Sequence, residues 1–114
     1  MESSAEDRLA LLLRLYETAR DRQDQDMAEA ASDEQADAIE SNLDALKLNY
    51  LKAERARLEA NGAAVEAAYQ AARAAADDVD RAYRQGVALA ERIRAVAGAV
   101  TAASSLLAKA AALA

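Results

Sequence analysis

Asp33, Asp37, Glu40 and Asp44 step four, three and four residues apart, so a helix through them presents four carboxylates on one face. Such a row could hold a cation, imitate nucleic acid phosphates, or meet a basic protein. The chain has no His and no Cys, so di-iron and zinc sites lack ligands they normally use. No Gly-bearing acidic loop of the calcium-binding kind is present either. The row therefore reads first as a solvated acidic face. Its functional counterpart is a docking surface for a basic partner, with Asp33, Asp37, Glu40 and Asp44 as contacts.

Other chemistry is thinner still. Without His or Cys the six Ser residues have no partner to activate them. Lys47, Lys52 and Lys109 stand in no constellation, and no Gly-rich phosphate loop occurs. No enzymatic activity, cofactor or metal is expected. Tyr16, Tyr50, Tyr69 and Tyr83 fall on or beside apolar seams at helical spacing, which suits core-edge residues better than base-stacking platforms.

The net charge of −6 is uneven. Residues 1–44 hold thirteen acidic and four basic side chains, and 21–44 set nine carboxylates against Arg22 alone. That surface repels nucleic acid and favours basic partners. The start, "MESSAEDR", is acidic, and "LALLLRL" is short and interrupted by Arg14, a poor signal peptide. A cytoplasmic protein is expected. Heavy Ala and Arg use with three Lys suggests a GC-rich bacterial genome.

The elements that must carry these residues are helices. The 114-residue chain, one domain's worth, has no Pro and few β-branched or aromatic residues, so an all-α fold follows. "SSAE" sets Ser3 three residues before Glu6, and "SDEQ" sets Ser32 three before Gln35, both capping-box spacings. Asn61–Gly62 suits a helix end. The expected helices are about 4–31, 33–60 and 63–112. "RDRQDQD" (20–26) reads as a solvated turn of helix, supported by Arg20–Asp24 and Arg22–Asp26 at four-residue spacing. The second helix carries Ala36, Ile39, Leu43, Leu46, Tyr50 and Ala53 on one seam, with Leu48, Leu51 and Leu58 well around from it. Apolar residues on two sides predict two neighbours.

The third segment holds the longest pattern. Steps of three and four from Val65 through Ala72, Val79, Gly86, Leu89, Ile93, Val96, Val100 and Leu107 to Ala114 meet only apolar residues or Gly. The last twenty residues, 95–114, carry only Lys109 as a charge. An unbroken helix over 63–112 would be ~75 Å long, far beyond what two shorter helices cover. Ile93, Val96, Val100, Leu106, Leu107 and Leu113 would then project uncovered, and the contact seam Leu89, Ile93, Val96, Val100 and Leu107 would need another surface. The favoured architecture is an antiparallel bundle or coiled coil of three helices with a long C-terminal helix. Its alternative is a four-helix bundle broken near Gly86 or Gly98.

The first functional expectation is a non-enzymatic helical interaction protein. It would form a homo-oligomer, or dock a helical partner, through that C-terminal seam. One alternative is a membrane-associated protein using 95–114 as its lipid segment. Another is a small acidic inhibitor or immunity-type protein that binds a basic client through 21–44. In size, acidity and mid-chain turn the chain resembles the Trp-x-Gly secreted helical hairpins of Gram-positive bacteria. Its turn reads "EANGAA", however, without the defining Trp, and no family is assigned.

Overall fold

Ser4 opens the first helix. Its hydroxyl accepts from the Asp7 N–H at 3.0 Å, and the Asp7 carboxylate accepts from the Ser4 N–H at 2.9 Å, a complete capping box. The computed structural model describes residues 2–111 and holds α1 (Ala5–Glu29), α2 (Asp33–Ala56), α3 (Ala63–Gln85) and α4 (Leu89–Ala110). The box sits one residue later than the Ser3–Glu6 spacing predicts because Ser3 is engaged elsewhere. Its N–H and hydroxyl both donate to Glu66 at 2.9 Å, tying the N-terminus to α3. Ser32 caps α2 as expected, accepting from the Gln35 N–H at 3.2 Å, while Gln35 Oε1 accepts from the Ala31 N–H at 2.8 Å. Residues 20–26 lie within α1.

Two boundaries differ from the sequence expectation. The second helix ends at Ala56 rather than near 60, because Arg57 leaves helical geometry at φ 53°. Gly62, at φ 130°, opens α3 rather than closing α2. The larger correction concerns the long third helix, which is two helices. Gly86 adopts the left-handed conformation (φ 62°, ψ 38°). The Gly86 and Val87 N–H groups donate back to Tyr83 O and Ala82 O, both at 3.3 Å. That pair of bonds is a Schellman closure. Chain direction reverses over 86–88, and the four-helix alternative holds, with its break at Gly86. Gly98 stays inside α4. Leu113 and Ala114 lie outside the described residues.

Consecutive helices run antiparallel. α1 and α4 each touch all three other helices, whereas α2 and α3 do not touch. The cross-section is a flattened rhombus with α1 and α4 on its short diagonal and α2 and α3 at its outer corners. The 57–62 segment must therefore cross one end of the bundle. Leu58, 1% exposed, plugs that end, and the Ala60 N–H donates to Ala110 O at 3.0 Å, closing the last turn of α4. Arg8 pins the crossing from below. It is buried, and its guanidinium donates to Leu58 O and Ala60 O at 2.8 Å and to Ser3 Oγ at 2.9 Å. Charge-assisted bonds to those carbonyls meet needs that a buried loop backbone would otherwise leave open.

The core combines small and large faces. α3 contributes Ala68, Ala72 and Ala76 between Val65 and Val79, a shallow surface that permits close approach. Leu11, Leu12, Leu15 and Leu46 supply the bulk from α1 and α2, with Val96 and Leu106 from α4. Each such Leu contributes roughly 1.5–3 kcal/mol on burial.

Candidate functional site

An outer-corner helix turns one flank to each of two neighbours and its back to water. α2 does so: Ile39, Leu46, Asn49 and Ala53 are buried, and Asn42 and Asn49 reach α4, donating to Ile93 O at 3.3 Å and Ser104 Oγ at 3.0 Å. Tyr50 faces the other neighbour and stacks on Tyr16 with ring centroids 6.2 Å apart. The two contacts lie on adjoining flanks, so α2 has its two neighbours without using Leu48 or Leu51. Those two are 51% and 44% exposed, the large apolar side chains left exposed among the described residues. The sequence reading assigned Leu48 and Leu51 to a second packing face; that face is open.

The back of α2 is one continuous ridge. Asp33, Asp37, Glu40 and Asp44 are all exposed along it, Leu48 and Leu51 follow at steps of four and three, and Arg55 closes it four residues later. Lys47 and Lys52 flank the leucines and are exposed too. Among the described residues no α2 side chain joins an ion pair; the pairs formed join residues of α1, α3 and α4. No three His, Cys, Asp or Glu side chains among the described residues gather closely enough to share a metal ion.

The expected C-terminal seam divides. Leu89 and Val96 are buried in the bundle. Ile93, Val100 and Leu107 are half-buried on the flank of α4 that turns toward α2. The buried face of α4 is Leu89, Arg92, Val96, Ala99, Ala103, Leu106 and Ala110, which shares Leu89 and Val96 with the expected seam and takes Arg92, Ala99 and Leu106 where the seam has Ile93, Val100 and Leu107. The straight helix that would have left this ribbon uncovered is absent, and α1, α2 and α3 cover most of it. By length and composition alone, α4 is apolar enough to cross a membrane. Its outward strip of Ala97, Gly98, Thr101, Ser104 and Ala108 is uncharged and small.

A polar cluster that the sequence reading missed sits at the opposite end from Arg8. Asp26 and Arg92 are 5% and 4% exposed, and Arg92 Nε lies 3.3 Å from Asp26 Oδ1. That contact is a charge pairing without hydrogen-bond geometry, which leaves both atoms without a bonded partner. Arg92 Nη2 also meets Glu29 at 2.5 Å, and its Nη1 donates to Val87 O at 3.2 Å, bracing the 86–88 reversal. The Tyr83 hydroxyl donates to Asp26 Oδ2, and the guanidiniums of Arg22 and Arg92 lie 5.0 and 5.5 Å from its ring. Burial, and then the Asp26 carboxylate, push the Tyr83 phenol well above its ordinary range. The expected Arg22–Asp26 surface pair does not form; Asp26 turns inward. Asp26, Asn42, Tyr83 and Ile93 line a cavity of ≈ 10 Å³, room for about one water.

The cluster is built for structure: its groups pair with one another and face inward. The α2 ridge is the surface whose charges and apolar groups are unspent. No protein-family model matches the chain, and no curated protein or solved structure matches it either.

Proposed function

We propose that this chain is a non-enzymatic binding module whose four-helix scaffold presents the outward ridge of α2 to a protein partner. One observation carries the reading. Four exposed carboxylates lead into two exposed leucines on a single helix face, and nothing among the described residues pairs with them. Leucine in water forgoes the roughly 1.5–3 kcal/mol that burial supplies, and carboxylates in a row repel one another. A partner helix with apolar residues flanked by Lys or Arg relieves both. This keeps the acidic docking face Asp33, Asp37, Glu40 and Asp44 and adds Leu48 and Leu51 as its anchors.

A second reading retains the last helix. Ile93, Val100 and Leu107, half-buried beside α2, border the uncharged strip of α4 and offer a shallower apolar track for a helix.

Fluorescence anisotropy of a labelled synthetic Lys/Leu amphipathic helix tests the first reading. Wild type should bind in a salt-sensitive manner. Joint Leu48→Asp and Leu51→Asp should weaken binding by about tenfold or more, as should joint Asp37→Asn, Glu40→Gln and Asp44→Asn. Unchanged affinity in both variants would contradict it. Loss only on Val100→Asp would transfer the role to α4.

A further inference from the structure

The ridge is not uniformly acidic, and its polarity selects an occupant. Its N-terminal half carries Asp33, Asp37, Glu40 and Asp44; its C-terminal half carries Lys47, Lys52 and Arg55 against Glu54 at its edge, a net positive end, with Leu48 and Leu51 between. All of these side chains are exposed, and none makes an ion pair within the chain among the described residues. A basic partner helix meets the carboxylates and leucines but leaves Lys47, Lys52 and Arg55 without counter-charges. A helix of opposite polarity along its length satisfies both halves, and α2 turned end for end has that polarity.

We infer that the occupant of the ridge is a second copy of this chain, with the two α2 helices packed antiparallel about a two-fold axis between Leu48 and Leu51. The inference rests on the binding-module reading above and narrows it to one partner. In this register Leu48 faces the second copy's Leu51, and the symmetry repeats the contact, so four leucines form a central apolar layer. Asp44 faces the second copy's Arg55, and the pairing recurs at the other end of the layer; Lys47 comes level with the second copy's Lys52 but on the opposite flank of the contact, so the central pairs at each edge are Asp44 with Arg55. Opposite charges thus seal each edge of the apolar patch, which fixes register and direction as charged flanks do in coiled coils. The corner position of α2 leaves this approach open, since α2 packs only on α1 and α4. Asp33 and Asp37 overhang the contact. The layer is short, placing the association at the weak, concentration-dependent end of specific interfaces.

Sedimentation equilibrium of the intact chain from micromolar to millimolar concentration tests the assignment. Wild type should move from monomer toward dimer mass across that range. Leu48→Asp should remain monomeric. Asp44→Arg and Arg55→Asp should each weaken association by about tenfold, and the double variant, which restores two opposite-charge pairs, should recover to within about threefold of wild type. Every substituted position is exposed, and circular dichroism confirms the fold of each variant. Wild type that stays monomeric throughout, a dimer indifferent to Leu48→Asp, or a double variant no better than its parents would each overturn the second copy as partner. If wild type is monomeric but binds the Lys/Leu helix through α2, the second copy falls while the binding module stands. If it is monomeric and binds no helix, both fall.

Discussion

Asp26 carries a carboxylate into the bundle and finds Arg92 and the Tyr83 hydroxyl there. Buried ion pairs contribute little net stability but cost about 3–5 kcal/mol when one partner is removed, so the cluster fixes how the upper ends of α1, α3 and α4 meet. Tyr83 gives it a pH signature. Its phenol is held above the ordinary value near 10, so the folded chain keeps a proton that the unfolded chain loses in alkali. The stabilisation is therefore complete below about pH 10 and declines as pH rises beyond it. The ring is half-buried at the edge of the core, and solvent screening holds the effect to less than about 1 kcal/mol at pH 11. Urea unfolding between pH 8 and 11 should show wild type losing stability more steeply than Tyr83→Phe; parallel curves would contradict the coupling. The cluster was partly legible in the sequence. Asp26 continues the steps of Leu12, Leu15 and Ala19, and Arg92 stands between Leu89 and Val96 at steps of three and four. Charges on core positions signal mutual pairing. The run of polar neighbours around Asp26 concealed it.

The helices themselves were readable because their signals are local. Ser32 three residues before Gln35 is a contiguous N-cap signal, and the alanine seam of α3 shows through periodicity alone. The break was not, because Gly86 and Gly98 look alike to a helix-propensity argument. They differ in backbone. Gly86 has φ 62°, a conformation that strains any other residue, whereas Gly98 lies within α4 with open space where a Cβ would project. Gly86→Ala should therefore destabilise the fold by about 1 kcal/mol or more, and Gly98→Ala should stabilise it by roughly 0.5–1 kcal/mol. Thermal denaturation of the two variants checks this. Equal effects, or the reverse order, would mean that chain reversal does not depend on Gly86.

At the scale of the whole molecule, packing order decides which residues reach a partner. The periodicity of α2 allows Leu48 and Leu51 to face either a neighbour or water. Only the diagonal placement of α2 and α3, joined by the 57–62 crossing under Arg8 and Leu58, puts them in water. The same placement lets α4 fold into the space between α1, α2 and α3, turning one face of a charge-poor helix into core. The acidic row was legible as an exposed face. Its leucine extension was not, since that depends on tertiary neighbours. Methyl NMR of the protein titrated with the Lys/Leu helix tests most directly whether the working surface is the back of α2. Resonances of Leu48 and Leu51 should shift, while those of Leu12, Leu46 and Leu106 hold still. Shifts centred on Ile93, Val100 and Leu107 with Leu48 and Leu51 unmoved would contradict the account.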